Sequence, residues 1–277
     1  MARLTASRAS NLILPRMASL DADPPPPALA PAPGSRIAIL GGCGGIGRAV
    51  VSACLGAGAE VAVLDLPRSL AAFPPPPRVR SFGLDATDAA SVAAAFAALD
   101  AAWGALDGYV GLAGFMTRRT PVAETAPEAW DELVDGNLRS AFLCARAALP
   151  LLLRGRDPSL VLVSSGLATR VAPGYGGYAA SKAGLLALAK AIAAENAPRL
   201  RANCVAPGAV DTEFLTGGTG REARRASIDR EAYLRTVPMG RLALPGDVAG
   251  PILFLLGPAS CYMTGQVLYV NGGGLTP

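Results

Sequence analysis

The chain has 277 residues, 51% hydrophobic and 17% charged, which suits one large α/β domain or two small ones with a core resting mainly on Ala, Val and Leu. Net charge is +4, and three positive charges (Arg3, Arg8, Arg16) fall in the first 20 residues, which hold no acid, so the body is near neutral and lacks the electrostatic footprint of a nucleic-acid binder. There is no histidine, which excludes a Ser-His-Asp triad, a Cys-His pair and every histidine-based zinc site; no apolar run of about 18 residues exists, so no membrane-spanning helix is expected.

Residues 1–34 read as a separate proline-rich tail, because Pro24 to Pro27, Pro31 and Pro33 cannot build a helix or a ladder. Its first 20 residues have the composition of an organelle transit segment; a disordered tail, or a start at Met17, reads equally simply. Residues 35–277 read as one domain. Ile37-Ala38-Ile39-Leu40 is a first strand ending in glycines, with a helix from Ile46. Strands are predicted over 60–64, 78–84 and 106–112, with an alanine-rich helix over 89–103. Pro127 opens a long helical stretch to about 153, followed by a strand over 160–163, a helix over 178–194 and strands over 201–205 and 266–270. Strands alternating with helices imply βαβ units. Near-continuous apolar strands imply a parallel sheet covered on both faces, hence a doubly wound α/β fold of Rossmann type. The five cysteines (Cys43, Cys54, Cys144, Cys204, Cys261) are scattered and odd in number, which favours reduced thiols.

Between the first strand and the first helix lies Gly41-Gly42-Cys43-Gly44-Gly45-Ile46-Gly47, in which Gly42, Gly44 and Gly47 satisfy G-x-G-x-x-G. Glycines there allow a tight turn and a close approach of backbone to a pyrophosphate, and the helix N-terminus offers it free N–H groups. Asp65 follows 18 residues after Gly47 at the end of the second strand. A carboxylate there accepts hydrogen bonds from ribose hydroxyls and repels a 2′-phosphate, which favours NAD over NADP, although Arg68 lies nearby.

Tyr178 and Lys182 are four residues apart at the start of a predicted helix and so share one face. A free phenol titrates near ~10 and is a poor base at neutrality; a neighbouring ammonium lowers that value and lets Tyr178 exchange a proton with an alcohol or ketone. Ser165 leaves the strand over 160–163, where loops at the carboxyl ends of parallel strands form the crevice, and its hydroxyl can orient the reacting oxygen.

Together these residues resemble the classical short-chain dehydrogenase/reductase family over about 36–274. Leu40 to Gly47 resembles its T-G-x-x-x-G-I-G, and Tyr178 and Lys182 its Y-x-x-x-K, with Ser165 at the usual spacing. Asn137 matches the asparagine that completes the tetrad and helps hold a proton-relaying water. The resemblance further implies Asp85 beside the adenine and Ala113 at the cofactor. It places Pro207, Gly208, Val210 and Thr212 in the segment that meets the nicotinamide amide, and has Lys182 bind the nicotinamide ribose. Three positions depart from the pattern. Leu40 replaces a threonine, Gly111-Leu112 replaces two asparagines, and Asn271 replaces an aspartate.

The resemblance implies metal-free hydride transfer between NAD and a secondary alcohol or ketone, in a cytoplasmic homo-oligomer, tetramer or dimer, or in an organelle matrix if the tail is a transit segment. The alternatives are an NADPH-linked 3-oxoacyl-thioester reductase and a catalytically weak NAD-binding sensor or scaffold. Residues 213–237 read as a lid whose Arg221, Arg224, Arg225, Arg230 and Arg235 either meet an acidic substrate or form a solvated face. Phe115, Met116, Leu167 and Val171 are expected to shape an apolar pocket or to pack as core.

Overall fold

Alternation within the first strand sets up a core on each side of the sheet. In β1 (Arg36–Leu40), Ile37 and Ile39 point into one apolar cluster and Ala38 and Leu40 into another, all at most 2% exposed. The computed structural model describes residues 26–219 and 228–275. β2 (Glu60–Asp65), β3 (Arg80–Gly83), β4 (Gly108–Gly111), β5 (Ser159–Val163), β6 (Arg201–Pro207) and β7 (Val267–Val270) join β1 in a seven-stranded parallel sheet of order β3-β2-β1-β4-β5-β6-β7. The winding reverses between β1 and β4, and the crevice of such a sheet opens there, beyond the carboxyl ends of the strands.

One face is covered by α1 (Gly45–Gly56) and α8 (Pro245–Leu256), which pack on each other. The other is covered by α3 (Ala89–Trp103), α5 (Ser140–Leu152) and α6 (Gly176–Asn196). α3 begins where the Asp88 side chain accepts from Ala90 N and stops at Gly104, whose φ of 70° is left-handed. α4 (Pro127–Val134) runs into α5 through a π-helical turn, Asp135–Arg139, that interrupts the single helix expected over 127–153. The shorter α2 (Pro67–Ala72) and α7 (Arg230–Leu234) complete the set.

The doubly wound reading therefore holds, with differences in detail. α2 and α8 were not expected, and β4 is shorter than 106–112. Of the proline-rich stretch, 1–25 lies outside the described residues, but its end packs onto the sheet domain. Ala259 N donates to Ala28 O at 3.1 Å and Gly34 N to Gly58 O at 2.8 Å, because these backbone groups find partners at a surface of α8 and α1 loops. Among the described residues, no helix is long and apolar enough to cross a membrane. Cys43, Cys54, Cys144 and Cys204 are buried and Cys261 is exposed, all as free thiols.

Candidate active site

The turn after β1 is built by close approach. Gly41 has φ +80°, and a Cβ on it would sit 3.0 Å from Ala113 N. A Cβ on Gly47 would lie 2.2 Å from Gly41 O and 2.7 Å from Gly42 Cα, so only glycine lets α1 start directly on the turn. Gly41, Gly45, Ile46 and Gly47 line a cavity of about 700 Å³. Gly42 and Cys43 do not: Gly42 lies against Val63, and Cys43 is 1% exposed beneath the loop. Asp65 closes this end. Its carboxylate accepts from Cys43 N at 2.9 Å and Leu66 N at 2.8 Å. The Cys43 thiol is pushed up to about 12 by burial and by that neighbouring carboxylate. Arg68 is exposed and stands outside the cavity wall.

Asp85 and Ala113 line the same cavity; the Asp85 carboxylate accepts from both the backbone N–H and the hydroxyl of Thr87. Pro207, Gly208, Val210 and Thr212 form the wall beyond β6. Tyr233, on α7, was not singled out in the sequence: its hydroxyl accepts from Ala209 N at 2.8 Å and lies 2.7 Å from where a Gly208 Cβ would be. That contact fastens the lid helix to the strand-end loop.

At the opposite end Tyr178 and Lys182 share one face of α6 as their spacing predicts, with the lysine Nζ 5.7 Å from the phenol ring centroid. Tyr178 is 6% exposed and packs with Phe115 and Leu133. Burial holds its phenol above the ordinary value, against the lowering expected from Lys182; the Ser165 side chain pulls the value back in part and Tyr175 pushes it up again. Lys182 is 3% exposed and donates from Nζ to Val163 O at 3.1 Å. Burial brings it down to about 8, partly opposed by Cys204. Ser165 caps a short turn by accepting from Leu167 N at 3.2 Å.

Asn137 sits in the π-helical turn, fully buried, and its amide is wholly engaged with backbone. Oδ1 accepts from Phe115 N at 3.0 Å; Nδ2 donates to Phe115 O at 3.0 Å and Leu133 O at 2.9 Å. It thereby fixes the loop after β4 against α4, and it does not itself line the cavity. Between Asn137 and Lys182 lies Gly114, where a Cβ would come within 2.5 Å of Asn137 Oδ1 and 3.2 Å of Lys182 Nζ.

Phe115, Met116, Leu167 and Val171 all border the cavity, joined by Phe214, whose ring lies 6.1 Å from that of Tyr178. Lid residues 220–227, with Arg221, Arg224 and Arg225, lie outside the described residues. Arg230 pairs with Asp211 at 3.8 Å and Arg235 with Glu231 at 2.8 Å on an exposed face. The lid start is tied to the glycine turn: Arg48, on α1, donates to Cys43 O at 2.7 Å and to Glu213 at 2.6 Å. Of the three departures, Leu40 joins the core, Leu112 packs on the β1–α8 side, and Asn271 ties the last turn by donating to Leu275 O at 2.8 Å.

Residues 41–274 match the family described as enoyl-(acyl carrier protein) reductase. The chain is 32% identical to 2-(S)-hydroxypropyl-CoM dehydrogenase 3 of Xanthobacter autotrophicus over 250 residues, covering 86% of this chain and 95% of that one. It is 34% identical to 3-oxoacyl-(acyl-carrier-protein) reductase FabG of Thermotoga maritima over 242 residues, covering 85% and 95% respectively. Among solved structures, a short-chain dehydrogenase/reductase, glucose/ribitol dehydrogenase, from Brucella melitensis superposes with a TM-score of 0.76 at 28% identity, covering 89% of this chain and 98% of that one. The chain belongs to the short-chain dehydrogenase/reductase family of oxidoreductases, which work with a nicotinamide cofactor. The residues present fit such a group, since Gly41, Gly45, Ile46 and Gly47 border the cavity at the N-terminus of α1, on a turn so tight that a Cβ at Gly47 would strike Gly41 O.

Proposed function

We propose that this protein is an NAD-dependent oxidoreductase acting on a secondary alcohol or ketone, with Tyr178 as general acid/base. The observation that carries the reading is the Tyr178 phenol in one cavity with Ser165, Lys182 and the glycine turn. When bound, the nicotinamide supplies or accepts the hydride at its C4. Ser165 holds the substrate oxygen, and Tyr178 takes the hydroxyl proton during oxidation or returns it during reduction. Lys182 stabilises the phenolate by its charge and holds the nicotinamide ribose, while Asn137 keeps the loop after β4 in place beside a proton-relaying water. Gly41, Gly45, Ile46 and Gly47 receive the pyrophosphate, with Gly42 and Cys43 shaping the turn beneath them. Asp85 and Ala113 border the adenine side; Pro207, Gly208, Val210 and Thr212 hold the amide side.

Asp65 supports NAD, because its carboxylate stands where a 2′-phosphate would bring like charge. With a panel of secondary alcohols, kcat/KM for NAD should exceed that for NADP by roughly 100-fold, the size expected of a like-charge clash. Asp65→Ser should cut that ratio at least tenfold. Equal use of both cofactors by the parent protein would remove this assignment.

A second reading keeps the same residues and changes the substrate to a 3-oxoacyl thioester, the substrate type for which the Thermotoga maritima relative is named. Comparing ketones with 3-oxoacyl thioesters separates the two. A homo-oligomer joined through α4 and α5 belongs to the same proposal, supported by Trp130 and Phe142, which are 39% and 46% exposed there.

A further inference from the structure

The substrate end of the cavity has an apolar wall and a cationic rim. Phe115, Met116, Leu167 and Phe214 surround Tyr178, and Arg119 and Arg170 line the same cavity at its exposed edge. Several arginines of this fold are matched to acids, Arg48 to Glu213, Arg154 to Asp100 and Arg241 to Asp247, and others, such as Arg36 and Arg199, donate to backbone carbonyls away from the cavity. Arg119 and Arg170 are the described arginines that line the cavity, and among the described residues neither is paired with an acid. Among the described residues, Arg119 donates to Pro173 O at 3.4 Å and lies over the Tyr175 ring, 5.1 Å from its centroid. Arg170 donates to Gly274 O at 2.9 Å. Neither contact neutralises a guanidinium, but both hold it in place, Arg119 on a buried aromatic face and Arg170 against the C-terminal turn. The acids on the cavity wall are elsewhere or engaged: Asp65 and Asp85 lie at the glycine-turn end, and Asp229 caps α7 by accepting from Ala232 N at 3.0 Å.

We infer that the substrate carries an anionic group at the far end of an apolar arm, and that Arg119 and Arg170 are the specificity-determining residues that receive it. The inference rests on the oxidoreductase reading above and names its substrate class. Guanidinium forks match a carboxylate or a phosphate, and an apolar wall between rim and phenol requires an aliphatic spacer. A free oxo acid and a phosphate-bearing acyl thioester share this chemistry.

The test compares 8-oxononanoate, its methyl ester and a 3-oxoacyl coenzyme A thioester at low ionic strength. The acid or the thioester should exceed the ester in kcat/KM by about tenfold, the modest size reflecting exposed charges. In the double variant Arg119→Gln/Arg170→Gln that ratio should fall to about one through KM, with kcat for the acid retained; Arg119→Lys/Arg170→Lys should restore part of it. About 0.5 M salt should erase the advantage in the parent protein. Which of the two charged substrates loses more in the double variant identifies the source of the anion. Calorimetry with unreactive nonanoate and methyl nonanoate gives the same comparison without turnover. Equal kcat/KM for acid and ester, or an acid preference that survives the double variant, overturns the inference. If no substrate turns over with either cofactor, the oxidoreductase reading fails, and the nonanoate binding difference still decides whether the rim selects anions.

Discussion

Tyr178→Phe should lower kcat by about 100- to 10,000-fold while leaving cofactor affinity within about twofold of the parent. The ring is buried among Phe115 and Leu133, so phenylalanine fills the same volume and the fold is kept; only the hydroxyl is lost. Steady-state rates with cofactor titration by fluorescence check both halves. The parent protein should also show ketone reduction falling as pH rises through about 8, where buried Lys182 sheds its proton and no longer favours the phenolate left after proton donation. The phenol itself, held above its ordinary value by burial, stays protonated across neutral pH and is available as the acid. Retained kcat in Tyr178→Phe would mean that another group moves the proton.

Gly47→Ala should abolish useful cofactor binding, raising its Kd by roughly 100-fold or more, a loss on the scale of about 3 kcal/mol expected when a close-packed site is overfilled. The added methyl would stand 2.2 Å from Gly41 O and 2.7 Å from Gly42 Cα, and both are backbone atoms that no rotamer change can move aside. The turn must shift, and with it the N–H groups aimed at the pyrophosphate. Gly56→Ala, at the far end of the same helix, is the control: nothing lies within 4 Å of its Cβ, and alanine favours helix, so binding should be unchanged. Calorimetric titration of both variants with NAD separates a local clash from a general loss of helix stability.

What could be read from residues alone follows the range of the interactions concerned. β1, the glycine turn and Asp65 were legible because an apolar run, a glycine spacing and a strand-end carboxylate are local signals. Tyr178 and Lys182 were legible because a helix converts a spacing of four into a shared face. α8 escaped because Pro245 and Pro251, with two glycines between them, mask a helical stretch whose apolar side is read only once it packs on α1. α2 escaped because six residues beside a run of prolines carry too little period. Tyr233 on the strand-end loop and Glu213 on Arg48 join residues 24 and 165 positions apart, and no spacing rule encodes such pairs. The arginines tell the same story. The sequence drew the eye to Arg230 and Arg235, which the fold matches to nearby acids, while Arg119 and Arg170, far apart in the chain, share a cavity rim.

The most direct test of the account is to reduce an accepted ketone with cofactor carrying deuterium at both C4 positions and to weigh the alcohol. Direct transfer in a cavity that brings Ser165, Tyr178 and the glycine turn together predicts one deuterium on the carbinol carbon, with the hydroxyl proton drawn from solvent by way of Tyr178. An alcohol with no deuterium on that carbon would contradict it.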